Sequence, residues 1–103
     1  MSTKLTRAEV IARLKSAEPQ LRARGVGALY LYGSYARDEA RDDSDIDVFV
    51  DPRVDDFYHL ESFMGAYYDL ESALGGREIG YSTRQGLSKY IRPDVEKYAL
   101  QVF

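Results

Sequence analysis

The sequence predicts an α/β domain, a small mixed β-sheet backed by helices in two layers. Two five-residue segments, the unbroken apolar and aromatic run at 28–32 and the stretch at 46–50, apolar but for Asp47, have the length and composition of buried strands. Segments with helical spacing flank them, at 6–24 and 60–74. The resulting order is helix, strand, strand, helix, strand, helix, strand, with no repeat, linker or low-complexity tract. A chain of 103 residues is read as one domain, 1–103, with room for a single core and a single cleft.

Each element has a local reason. Thr6 and Glu9 are spaced as a capping box, and Val10, Leu14, Ala17 and Leu21 follow at steps of three and four, so a helix starts at Thr6. Pro19 cannot donate a backbone hydrogen bond inside that helix and splits it in two. Gly25 and Gly27 end it; the first strand then runs from Ala28 to Tyr32 and stops at Gly33. After a polar bridge, Ile46 opens a second strand that Asp51-Pro52 closes. Asp55 or Asp56 caps the next helix, where Leu60, Phe63, Tyr67, Leu70 and Leu74 share a face and Gly75-Gly76 marks the end. Arg77 to Tyr81 form a short strand weakened by Gly80, a helix covers 92–98, and 100–103 make a last strand.

Composition excludes several classes of function. Of the residues, 45% are hydrophobic and 30% charged, the balance of a folded soluble protein. No apolar run approaches the roughly 18 residues of a membrane span, and the N-terminus lacks a signal-peptide layout, so the cytoplasm is the expected compartment. The absence of cysteine rules out disulfides, thiolate metal sites and a cysteine nucleophile. His59 is the single histidine and falls in a predicted helix, which gives it a surface or packing role and leaves zinc without a ligand set. A net charge of -3 argues against nucleic-acid binding as a main function, because phosphate binding shows as a basic patch. The nine tyrosines belong in the core or on a partner-facing surface.

Chemistry concentrates in the stretch "LYLYGSYARDEARDDSDIDVFVD", residues 29–51. Residues i and i+2 of a strand point to one face with Cα atoms roughly 6.5–7 Å apart, so Asp45 and Asp47 share a face. Two carboxylates held this way repel each other unless a cation neutralises them. Mg²⁺ is bound by one or two carboxylates together with substrate phosphate oxygens. Gly33-Ser34, at the end of the preceding strand, supplies what a phosphate needs: close backbone approach and a hydroxyl. The bland alternative is a solvated acidic loop built from Asp38, Glu39, Asp42 and Asp43. An EF-hand starting at Asp43 fails, since its glycine position holds Val48 and its twelfth position Val54. There is no Walker A sequence, and Gly25-Val26-Gly27 is followed by Tyr30 where a dinucleotide fingerprint requires glycine.

The whole arrangement is more specific than its parts: apolar strand, Gly33-Ser34, ten residues, then Asp45-Ile46-Asp47 opening a second apolar strand. It resembles the minimal nucleotidyltransferases of the DNA polymerase beta-like superfamily, as does the bridge "YARDEARDDS". The resemblance covers nearly the whole chain and implies the two-layer nucleotidyltransferase fold. It further implies that Gly33, Ser34 and nearby amides grip a triphosphate and that Asp45 and Asp47 are the catalytic ligands of Mg²⁺. The implied reaction moves a nucleoside monophosphate, commonly from ATP, to a hydroxyl. Arg37 stands where the family has arginine, either on phosphate or in a salt bridge across the acidic loop. Stand-alone members of this size resemble antitoxins that are paired with HEPN-domain toxins and adenylylate them.

Two positions depart from that pattern. The family's third carboxylate comes from a segment like "G-R-x-hydrophobic-D", and here the segment is Gly76-Arg77-Glu78-Ile79-Gly80. Glu78 is two residues, roughly 6.7 Å of strand, from the missing group, more than one extra methylene bridges. Asp38 replaces a glycine that often follows the arginine. A transferase and a binding module that kept the fold but lost much of the catalysis therefore both stand at this stage.

Overall fold

The computed structural model describes residues 4–103, apart from the side chains of Asp56 and Tyr58. Thr6 opens helix α1 (Arg7–Ser16): its hydroxyl accepts from the Glu9 amide at 3.0 Å, and its own amide donates to Glu9 Oε1 at 3.0 Å. The helix breaks at Ala17, two residues before the proline expected to split it. Pro19 sits in the first turn of α2 (Glu18–Ala23), where its missing N–H has no helical partner to lose.

Strand β1 (Val26–Tyr32) runs into α3 (Gly33–Ala36), a single turn within what reads in sequence as the start of a polar bridge. Strand β2 (Ile46–Pro52) returns antiparallel to β1, pairing Tyr32 with Asp47 and Tyr30 with Phe49. A 3₁₀ turn (Asp55–Tyr58) precedes α4 (Leu60–Ala73). The expected aspartate cap is not made: His59 holds the N-cap with no side-chain bond, Asp55 lies in the 3₁₀ turn, and the Asp56 side chain falls outside the described residues. Strand β3 (Ile79–Thr83) begins two residues later than the sequence predicts. Arg77 is spent on the end of α4, where its Nη1 donates to the Leu74 carbonyl at 3.0 Å. Helix α5 (Arg92–Tyr98) and strand β4 (Leu100–Gln101) complete the chain.

The sheet order is β3-β2-β1-β4, antiparallel except for β2 and β3. That parallel pair needs a crossover, which α4 provides. Strand alternation divides the sheet into two faces of different chemistry. Leu29, Leu31, Ile46, Val48 and Val50 are buried on one face against Val10, Leu14, Leu21, Leu70 and Leu74 of the helices. The other face carries Tyr30, Tyr32, Asp47, Phe49 and Asp51. Phe49 is also fully buried, under Tyr30 (4.8 Å between centroids, 13° between planes) and Arg84, whose guanidinium lies 5.0 Å above its ring. Arg84 binds Asp51 through two bonds of 2.8 Å and Glu96 of α5 through one of 2.6 Å, fixing α5 over this second face.

Candidate active site

The end of β1 and the start of β2 are neighbours, so the ladder itself brings the Gly-Ser pair to the aspartates. Asp47 is the second residue of β2, half-buried, with Tyr32 directly across on one side and Gly80 directly across on the other. Its carboxylate fills a notch between two glycines: a Cβ on Gly33 would collide with Asp47 Oδ2, and one on Gly80 with Oδ1. Gly33 has φ +74, so glycine there serves both the backbone turn and the close approach of the carboxylate. Asp45, one residue before β2, is exposed.

The electrostatics follow from this placement. Burial, and then the charge of Asp45, push the Asp47 carboxyl above the ordinary carboxylate range, with Arg37 acting in the opposite sense. Burial and the Asp47 charge likewise push the Tyr32 hydroxyl up. Neither aspartate accepts a hydrogen bond or salt bridge from a described residue. Two crowded carboxylates with free oxygens are the hard donor pair that Mg²⁺ takes, its other positions going to water and phosphate. Among the described residues no group of three or more His, Asp or Glu gathers as a metal-ligand set.

Ser34 follows Gly33 in α3, half-buried, its hydroxyl bonded to no described residue. Arg37, exposed, pairs with Glu39 at 3.3 Å and borders a cleft of about 500 Å³ that Gly33 also lines. The residue after it, Asp38, has φ +58, the one described non-glycine residue with positive φ. That conformation is the physical reason glycine suits this position. Glu78 precedes β3 and is exposed; with Asp45 it borders a different cleft of about 330 Å³. Position 80, by contrast, faces the Asp47 carboxylate directly and offers no side chain. Sequence reading missed Tyr32, whose place opposite Asp47 follows once the antiparallel register is known, and it missed the wall that α5 contributes to the larger cleft.

The model of the nucleotidyltransferase domain family matches residues 9–102. The chain belongs to that family. This nucleotidyltransferase domain is 33% identical over 96 residues to the protein adenylyltransferase MntA of Thermococcus cleftensis, covering 88% of this chain and 94% of that protein. A solved structure assigned as a minimal nucleotidyltransferase superimposes with a TM-score of 0.78 at 26% identity, over 95% of this chain and 97% of that one. A crystal structure of a toxin–antitoxin with AMP-PNP shares the fold, with a TM-score of 0.62 at 22% identity over 86% and 72% of the two chains. The expected two-layer nucleotidyltransferase fold and the resemblance to minimal nucleotidyltransferases are thereby borne out. No helix among the described residues is long and apolar enough to cross a membrane.

Proposed function

We propose that this nucleotidyltransferase domain moves AMP from ATP to a hydroxyl on a partner protein, and that the partner is a HEPN-type toxin for which the chain is the antitoxin. The observation that carries the reading is the placement of Gly33, and with it Ser34, against the carboxylate of Asp47 beside Asp45. The adenylyltransferase activity in the name of the archaeal relative and the toxin–antitoxin neighbour support the choice of AMP and of a protein acceptor.

In this reading Ser34 and the amides around Gly33 hold the triphosphate, and Arg37 adds positive charge at the cleft edge. Asp45 and Asp47 hold Mg²⁺, which when bound neutralises phosphate charge and polarises the phosphoryl oxygens. The acceptor oxygen forms a bond to the α-phosphorus as the bond to pyrophosphate breaks, and the acceptor proton must leave. Position 80 has no carboxylate to take it. A missing general base costs roughly 10²- to 10⁴-fold, so this member is a slow transferase.

A second reading rests on the same glycine: a binding module that neutralises its partner without catalysis. Transfer of label from α-labelled ATP to the protein encoded next to this chain separates the two. Label on the partner, dependent on Mg²⁺, supports transfer; tight binding of that partner with no label supports the module.

A further inference from the structure

The cleft of about 500 Å³ has a wall that the phosphate end of the site leaves unused. Ile91, Asp94, Val95 and Tyr98 stand at i, i+3, i+4 and i+7, one stripe along α5 and the residue before it. An amphipathic helix normally turns such a stripe into the core. Here no residue of α5 is buried, and Ile91 and Tyr98 keep 49% and 53% of their surface exposed. All four border the cleft, together with Tyr32, whose ring lies 5.7 Å from that of Phe49.

An open slot with aromatic and aliphatic sides suits a flat, weakly hydrated ring, and the volume lies within the roughly 300–1,000 Å³ of small-molecule pockets. The polar groups in reach decide which ring it takes. Asp94 is exposed and makes no hydrogen bond or ion pair with a described residue. An ionised carboxylate only accepts hydrogen bonds. It therefore attracts a ring edge bearing an amino group and repels one bearing a carbonyl oxygen in the same place. Gly33 and Arg37 border the same cleft, so a triphosphate held there delivers its base to α5.

The geometry points to this cleft as the nucleobase slot, with Asp94 selecting a 6-amino purine over a 6-oxo purine. The inference rests on the nucleotide-transfer reading above and adds a specificity residue to it.

ATP and ITP differ along that ring edge, a 6-amino donor beside an N1 acceptor in one and a 6-carbonyl beside an N1–H donor in the other, and are the probes; ITP bound as tightly as ATP or tighter would place Asp94 at N1 and overturn the inference. Calorimetric titration of the full chain with Mg²⁺ should show ATP bound at least about tenfold tighter than ITP, the range of one hydrogen bond to a charged group. Asp94→Asn, whose amide donates as well as accepts, should bring the two within about threefold. Tyr98→Leu should weaken both by a similar factor of roughly 5 to 100, since stacking does not read the ring edge. Melting curves check that both variants fold. An ATP-to-ITP ratio near one in the wild type, or a ratio and affinities unmoved by both variants while ATP still binds, overturns the inference and leaves the stripe as surface for a protein partner. Failure of the underlying reading looks different: the wild type then binds neither nucleotide, and both fall together.

Discussion

Replacing Gly80 by aspartate puts a third carboxylate beside Asp47, and the structure gives its cost. The new Cβ collides with Asp47 Oδ1 but lies 3.5 Å from Asp47 Cγ and 3.9 Å from its Cα, which are ordinary contacts. Rotation of the Asp47 carboxylate alone therefore clears the overlap, at about 0.5–1.5 kcal/mol for leaving its rotamer. Two carboxylates about 5 Å apart add up to about 3 kcal/mol of repulsion at an effective dielectric near 20. Without metal, Gly80→Asp should thus lose between about 0.5 and about 4.5 kcal/mol, and each kcal/mol lowers Tm by roughly 4–8 °C in a domain of this size. Mg²⁺ with ATP should restore most of that loss, because a cation converts repelling ligands into donors. In label transfer to the cognate partner the variant should gain roughly 10²-fold, about 2.7 kcal/mol of barrier. Glu78→Gln should lose little, since Glu78 precedes β3 and it is position 80, two residues on, that lies across from Asp47. Metal-free melting equal to wild type, or a destabilised variant that Mg²⁺ does not rescue and that transfers no faster, refutes the reasoning.

Other outcomes follow from the same geometry. Gly33→Ala forces a side chain into φ +74 and into the Asp47 carboxylate; it should cost about 1–3 kcal/mol by melting and weaken ATP binding. Arg84→Met removes the bonds to Asp51 and Glu96 that fix α5; stability should fall by about 1–2 kcal/mol, and KM for ATP should rise more than kcat falls. Asp47 has a folded pKa above its unfolded value, so in metal-free protein its contribution worsens as pH rises through the folded pKa and is recovered toward the unfolded value near 3.9. Compared by melting from about pH 4 to about 7, Asp47→Asn should therefore gain on the wild type as pH rises.

The strand pair and the aspartate pair were legible in the sequence because their signals are local: five apolar residues in a row, an i, i+2 spacing, a Gly-Ser end. The α1 start was legible for the same reason, as Thr6 and Glu9 carry both halves of their cap. What failed to show was set by tertiary neighbours. Four residues of α3 hold no period, and Arg77, read as the start of β3, lies before the strand with its guanidinium on the Leu74 carbonyl. The larger cleft joins Tyr32 to Asp94 across 62 positions of chain, and its α5 stripe reads in sequence like any helix face turned to a core.

Mg²⁺-dependent ATP binding to a chain carrying Asp45→Asn and Asp47→Asn together tests the central claim most directly. The account predicts that the wild type binds ATP with Mg²⁺ while the double variant does not, although it melts at the same temperature or higher once the repulsion is gone. Unchanged Mg²⁺-dependent binding in the double variant would contradict it and reduce the pair to a solvated acidic surface.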